Sequence, residues 1–305
     1  MKSILSDLCV LPNCLPNDKD MINPTACTRS LLLYGLPGSG KSMLLDTIVS
    51  ELDAICIDLS PSKLEGKFSS EDGPTRLIHM AFSVATDPAF APVVIKLEDC
   101  DNIFAKKGKR KGPAALQTTG SGKRFQKDLL IYKNRMLMPH HKVIIIGTTR
   151  YPMNCDVKVL KWKGPKGNPE KQGFFETFLF VPPATYVDRL HLWKGFLGSL
   201  QENRSKNMLN EHLPELNYHH LAQLSDASSI SKIKDACEKA ITCSIPTATN
   251  EGDIEKRILE SLVGQSDQKQ ALEALQRFSE SLVIPKEIPV STDANGKQDS
   301  KKTRK

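Results

Sequence analysis

The 305-residue chain has no apolar stretch approaching the roughly 18 residues of a membrane-spanning helix. Its N-terminus, MKSILSDLCVLPNCLPND, is interrupted by Ser6, Asp7, Pro12 and Asn13, so no run there suits a secretory signal. None of the eight cysteines forms a CxxC pair, and none has zinc-finger spacing with histidine. They read as reduced, mostly buried thiols of an intracellular protein. The pairs His140-His141 and His219-His220 have no partner cluster, so no metal site is expected there. With 39% apolar and 25% charged residues, collagen-like, coiled-coil-only and wholly disordered chains are excluded. What remains is a globular protein long enough for two domains.

Acidic residues are missing from one segment. Residues 105–127 (AKKGKRKGPAALQTTGSGKRFQK) hold eight Lys or Arg and no Asp or Glu. The whole chain carries +7, so the rest has a formal charge of −1. This is a near-neutral body bearing one basic, Gly/Ser/Thr-rich loop. A second lysine-rich stretch spans 157–171, and the tail 285–305 is polar, basic and expected to be disordered. Such loops are either solvated surface or a docking face for something acidic. No aromatic interleaves with the lysines of 105–124, which argues against single-strand nucleic-acid binding.

Short apolar runs alternate with helical patterns over the first 183 residues. Ser30–Tyr34, Ala54–Leu59, Val93–Leu97, Lys142–Ile146 and Phe178–Val181 read as strands. Ser42–Leu52 and Pro74–Ala85 read as helices between them. That alternation predicts a parallel sheet covered on both faces, with ligands bound beyond the C-terminal strand ends. After Pro182-Pro183 the pattern is helical: Tyr186–Leu197, Tyr218–Leu224, Ile230–Ile241, Ile254–Val263 and Asp267–Val283. The expected organisation is an α/β domain over 1–183 and a small all-helical domain over 184–284.

Gly35-Leu36-Pro37-Gly38-Ser39-Gly40-Lys41-Ser42 fits GxxxxGK[ST] at every fixed position, after a strand and before a helix. The glycines let main-chain N–H groups curl towards phosphate oxygens, and the helix N-terminus adds positive potential. Lys41 is placed to reach the β- and γ-phosphates of a nucleotide, and the Ser42 hydroxyl to ligate Mg²⁺. Gly35, Pro37, Gly38, Ser39, Gly40, Lys41, Ser42 and Met43 are therefore the candidate ATP-binding residues. The run VVIKLEDCD supplies carboxylates, Glu98 and Asp99, at the end of a neighbouring strand.

These motifs, the four-strand pattern ending in Gly147-Thr148-Thr149-Arg150, and the helical region after Pro183 resemble the AAA ATPase core, a P-loop NTPase fold with a helical lid. The resemblance covers roughly residues 4–283, including the linker-like LCVLPNCLP before the first strand. It implies ATP and Mg²⁺ as cofactors, with Ser42 and Glu98 on the magnesium side and Asp99 in the water-activating position. Relative to the family's Asp-Glu order the two acids are swapped, which shifts each carboxylate by about a bond length; an error of about 1 Å costs roughly 100-fold in rate. Arg150 falls at the first sensor position, where it can touch a γ-phosphate but cannot accept a hydrogen bond to orient water. The family's arginine fingers correspond to Gly173-Phe174-Phe175-Glu176-Thr177, which has no arginine, and the glycine-rich second sensor to Ser225–Ile230, which has no glycine. Lys67-Phe68 matches the basic–aromatic pair that grips a threaded polypeptide, although packing on its own domain is the simpler reading.

Within that superfamily, RSLLLYGLPGSGKSML, LSPSKLEGKF, LIHMAFSVA and KVIIIGTTRYP resemble the IQ-and-AAA-domain family of the nexin–dynein regulatory complex, an axonemal assembly of motile cilia. The implied partners are other subunits of that complex, with tubulin or another acidic surface facing 105–127. The implied location is the ciliary or flagellar axoneme. No IQ motif precedes the AAA region here, so calmodulin is not an expected partner, and the chain reads as a short form or a truncated gene model. Neither membrane nor nucleic acid is an expected partner. Three functions follow: a nucleotide-binding scaffold with weak or lost hydrolysis, an active ATPase remodeler, and, with least support, a clamp-loader-like nucleic-acid ATPase.

Overall fold

The computed structural model describes residues 2–14, 28–64, 70, 72–106, 121–138, 140–164, 172–206, 217–226, 228–242, 258, 260 and 268–282. Five strands form one parallel sheet: β1 Ser30–Gly35, β2 Ile55–Asp58, β3 Val93–Leu97, β4 Val143–Thr149 and β5 Thr177–Val181, in the spatial order β2-β3-β4-β1-β5. Helix α1 spans Lys41–Glu51, α2 Gly73–Thr86, α3 Ser121–Met136, α4 Tyr186–Lys206, α5 Tyr218–Leu224, α6 Ile230–Thr242 and α7 Gln268–Leu282. The central strands β1, β3 and β4 are mostly apolar because both faces are covered, while the edge strand β2 is partly exposed, and the pleat sends alternate residues to opposite cores. Leu31, Leu33, Val94, Ile144 and Ile146 meet Leu45 and Ile48 of α1, and Leu52 just after it, on one face. Leu32, Ile95, Val143 and Ile145 meet Ile78 and Phe82 of α2 and Leu129 and Leu130 of α3 on the other.

Three expectations shift. Strand β4 runs through Gly147-Thr148-Thr149 rather than ending before them, because β3 pairs with it as far as Gly147 and β1 as far as Thr149. Gly147 is required there: a Cβ would lie 2.4 Å from the Phe175 ring and 2.8 Å from the Cys100 sulfur. The expected basic loop ends early, because its last residues open helix α3, where Phe125, Leu129 and Leu130 pack inwards at helical spacing. Residues 107–120, and with them most of the proposed acidic-partner surface, lie outside the described residues, as do Lys67-Phe68, the tail 285–305 and most of the expected helix Ile254–Val263. The linker-like N-terminus is helical over Lys2–Cys14, and Leu5 and Cys9 enter the α1-side core.

The helical region has its own core, in which Trp193 and Leu197 of α4 pack on Leu221 of α5 and Ile233 and Cys237 of α6. Helix α7 does not join it. Its Leu275 and Phe278 belong to the α2-side core of the sheet, with the Phe278 ring edge-on to Tyr34 at 5.2 Å. Among the described residues no helix is long and apolar enough to cross a membrane. No group of three or more His, Cys, Asp or Glu there could hold a metal ion, and the His140 and His141 rings meet edge-on with centroids 4.3 Å apart. Cys9, Cys100, Cys155 and Cys237 are buried, while Cys14 and Cys56 are exposed. Burial pushes the Cys9 and Cys237 thiols up to about 12, so neither is a nucleophile near neutrality.

Candidate nucleotide site

Beyond the C-terminal ends of β1, β3 and β4 lies a cleft of about 800 Å³. The predicted loop forms its floor. Gly38 and Gly40 adopt φ of +73° and +87°, the left-handed conformation that side chains disfavour. Gly35 closes β1, where a Cβ would sit 2.6 Å from the Val181 carbonyl oxygen. Helix α1 then starts at Lys41 with no side chain capping its N-terminus, so its first N–H groups are offered to the cleft. Ser42 and Met43 are exposed in the first turn, and Ser39 is buried beneath the loop. Pro37 stands exposed on the rim.

Lys41 is 6% exposed and folds back on the loop. Its Nζ donates to the carbonyls of Gly35 (3.1 Å) and Leu36 (2.7 Å) and to Ser39 Oγ (3.3 Å). Burial lowers its pKa to about 8; the Arg150 guanidinium adds to the lowering and the Asp99 carboxylate opposes it. The ammonium is thus held by weak neutral acceptors at the place where phosphate oxygens would be stronger ones.

The two acids have different partners. Glu98 follows β3, its N–H donating to Ser60 Oγ at 2.9 Å. Its Oε1 is buried without a hydrogen bond, 3.4 Å from Lys96 Nζ, an ion pair not aligned for hydrogen bonding. Asp99 turns into the left-handed region (φ +50°) and receives both teeth of Arg150, Nε to Oδ1 at 3.0 Å and Nη2 to Oδ2 at 3.0 Å. Arg150, expected beside a γ-phosphate, is committed to the carboxylate expected to activate water. Thr149 is buried and donates to Asp101 Oδ1 at 3.2 Å, while Thr148 faces the cleft.

The segment in the arginine-finger position is built into the core. Phe174 and Phe175 are fully buried. Glu176 accepts from Lys133 Nζ at 2.8 Å and from the Arg29 backbone N–H at 2.9 Å. It holds the sheet together and presents no cation outwards. The second-sensor segment ends on the loop: Ile230 would touch a Cβ placed on Gly40 at 3.2 Å, and the N–H of the next residue, Ser231, donates to the Gly38 carbonyl at 3.2 Å.

Sequence reasoning missed Lys96, the one charge inside the apolar run VVIKL. Its Nζ lies 3.1 Å from Asp46 of α1. Burial works against that ammonium, but Asp46 and Glu98 outweigh it and hold its pKa above the ordinary lysine value. A lysine in a covered strand needs a counter-charge, and that rule points to this one. Phe196 and Lys234, contributed to the cleft by α4 and α6, left no comparable signal.

Residues 31–163 match the family model "ATPase family associated with various cellular activities (AAA)". This segment is an AAA domain. The chain is 33% identical over 134 residues to dynein regulatory complex protein 11 of Mus musculus, covering 43% of this chain and 14% of that protein. It is 23% identical over 282 residues to fidgetin-like protein 1 of Drosophila melanogaster, covering 90% of this chain and 47% of that one. Spastin of Danio rerio matches at 24% over 240 residues, covering 78% and 36%. The chain thus spans less than half the length of each of these relatives. Among solved structures, the FIGL-1 AAA domain in complex with ADP superposes with a TM-score of 0.65 at 17% identity, covering 92% of this chain and 86% of that one. That likeness establishes the AAA P-loop fold.

The residues present fit the cofactors that this family implies. Glu98 Oε1 is a buried oxygen that accepts no well-aligned hydrogen bond beyond its ion pair with Lys96, and the exposed Ser42 hydroxyl is the other ligand candidate for Mg²⁺. The glycine floor fits a phosphate chain. Glu98→Gln is expected to weaken Mg-ATP binding about tenfold, on the order of 1.4 kcal/mol, while leaving ATP affinity in EDTA unchanged, as measured by calorimetry.

Proposed function

We propose that this chain is an ATP-binding module whose hydrolysis is weak or lost. We place it as a structural or regulatory subunit of the nexin–dynein regulatory complex in the axonemal cytoskeleton of motile cilia. One observation carries the reading: the phosphate loop keeps its left-handed glycines and free helix N-terminus, while Asp99, the acid in the water-activating position, is tied up by Arg150. The core-bound Glu176 in the arginine-finger segment adds support, since a trans arginine supplies on the order of 10³-fold or more in related hydrolases.

In this reading Gly35–Met43 hold the phosphates through main-chain N–H groups and the Lys41 ammonium, and Ser42 and Glu98 hold magnesium. Bound magnesium neutralises charge on the β- and γ-phosphates. The similarity to dynein regulatory complex protein 11 supports membership of such a complex, and the basic segment 105–127 is the part we assign to an acidic partner surface such as tubulin. Mass spectrometry of small molecules released from the purified, desalted chain is expected to give an adenine nucleotide at near one per chain. A chain that comes away empty and stays so with Mg-ATP in calorimetry overturns the proposal.

The match to fidgetin-like protein 1 along 90% of the chain favours a second reading, an active ATPase remodeler acting on protein or microtubule partners. Steady-state phosphate release that disappears in Asp99→Asn decides for it.

A further inference from the structure

Arg150 and Asp99 stand on adjacent strand ends. Leu97 of β3 pairs with Gly147 of β4, so the residues two and three positions beyond them meet over the cleft floor. The Thr149–Asp101 hydrogen bond fastens the same two strand ends in the core beneath. On this anchored base the guanidinium engages both carboxylate oxygens at 3.0 Å, a two-toothed, charge-assisted geometry that only arginine can form. A carboxylate held this way has one lone pair of each oxygen engaged, and its plane is fixed towards the guanidinium rather than towards a water over the cleft floor. Both residues line the same cleft as Lys41, and both act on the charge of Lys41.

We propose that Arg150 is an inhibitory positioning residue: it latches Asp99 away from water, and releasing it restores nucleotide hydrolysis in this chain. The inference rests on the nucleotide-binding reading above. In the released site, a water oxygen attacks the γ-phosphorus as the bond from that phosphorus to the β-phosphate bridging oxygen breaks. The water proton passes to the Asp99 carboxylate and then to solvent, leaving nucleoside diphosphate and inorganic phosphate. A placed general base contributes roughly 10² to 10⁴. The shorter reach of aspartate gives back about 10² of that. A net gain on the order of tenfold remains. The Arg150 side chain is 55% exposed and that of Asp99 31%, so the latch can open without rearranging the core.

The test compares phosphate release at saturating Mg-ATP for the full chain and for Arg150→Asn, Arg150→Lys, Asp99→Asn and the double variant Arg150→Asn/Asp99→Asn. Ligand-induced thermal shift follows folding and binding in each. Arg150→Asn is expected to turn over at least about tenfold faster than the parent, Arg150→Lys to fall between, and the double variant to return to the parent rate. If Arg150→Asn binds Mg-ATP yet turns over no faster, or if its gain survives loss of the Asp99 carboxylate, the latch is overturned and the binding reading stands. If Arg150→Asn does not fold, Arg150→Lys decides by the same criterion. A parent chain that does not bind Mg-ATP overturns the binding reading and the latch together.

Discussion

Lys41→Met is expected to lose about a hundredfold in Mg-ATP affinity, near 2.8 kcal/mol, while its nucleotide-free form melts no lower than the parent. The two halves have one cause. Without ligand, the ammonium is buried and satisfied by two carbonyls and a hydroxyl, with its pKa brought down to about 8 by burial. Removing a desolvated charge without a carboxylate partner of its own costs the fold little. With ligand, the same ammonium would meet phosphate oxygens, and that attraction is lost.

The depressed pKa gives opposite pH dependences for fold and ligand. The folded value of about 8 lies below the ordinary 10.5, so the unfolded chain binds more protons between them. The contribution of Lys41 to stability therefore rises with pH across that window, and its burial cost is fully present below it. Phosphate binding needs the charged form. Mg-ATP affinity should thus fall roughly tenfold from about pH 7 to about pH 9, with proton uptake on binding. Calorimetry in buffers of different ionisation heat measures that uptake, and Lys41→Met should abolish it.

Lys133→Met is expected to destabilise the chain by about 3–5 kcal/mol, the range for breaking a buried ion pair from one side. Lys133 is 3% exposed and lies 2.8 Å from Glu176, with its Nζ 5.1 Å from the centre of the Trp162 ring. Methionine fills the volume but leaves the Glu176 carboxylate, 12% exposed, with only the Arg29 side its chain already faces. The cost comes from the lost ammonium at Glu176 Oε1, which keeps only the more distant Arg29 guanidinium at 3.8 Å, rather than from lost packing. Adding Glu176→Gln should recover part of it, since the amide oxygen can still accept from the Arg29 N–H. Chemical denaturation of the three variants measures both steps.

The positions of the strands were readable because a doubly covered parallel sheet needs continuous apolar runs, and SLLLY, VVIKL and KVIII supply them. The phosphate loop was readable because its chemistry is local: glycines, lysine and serine act within eight consecutive positions. Pairings across the fold were not. Asp99 and Arg150 are 51 residues apart, and nothing in either neighbourhood announces that one will grip the other. The role of Glu176 was equally hidden, because its lysine lies 43 residues upstream on a helix whose basic, Gly/Ser-rich opening reads as loop. Helix α7 has an apolar face that fits either core, and periodicity cannot choose between them.

The contact between Ser231 and Gly38 ties the first turn of α6 to the floor of the cleft. A Cβ added at Gly38 would already collide with Ser231 and Ser229 hydroxyl oxygens at 2.7 and 2.8 Å, so there is no slack between them. The glycine turn and the start of α6 are thus in direct contact, and any side chain added at Gly38 would strain both the loop and the first turn of that helix.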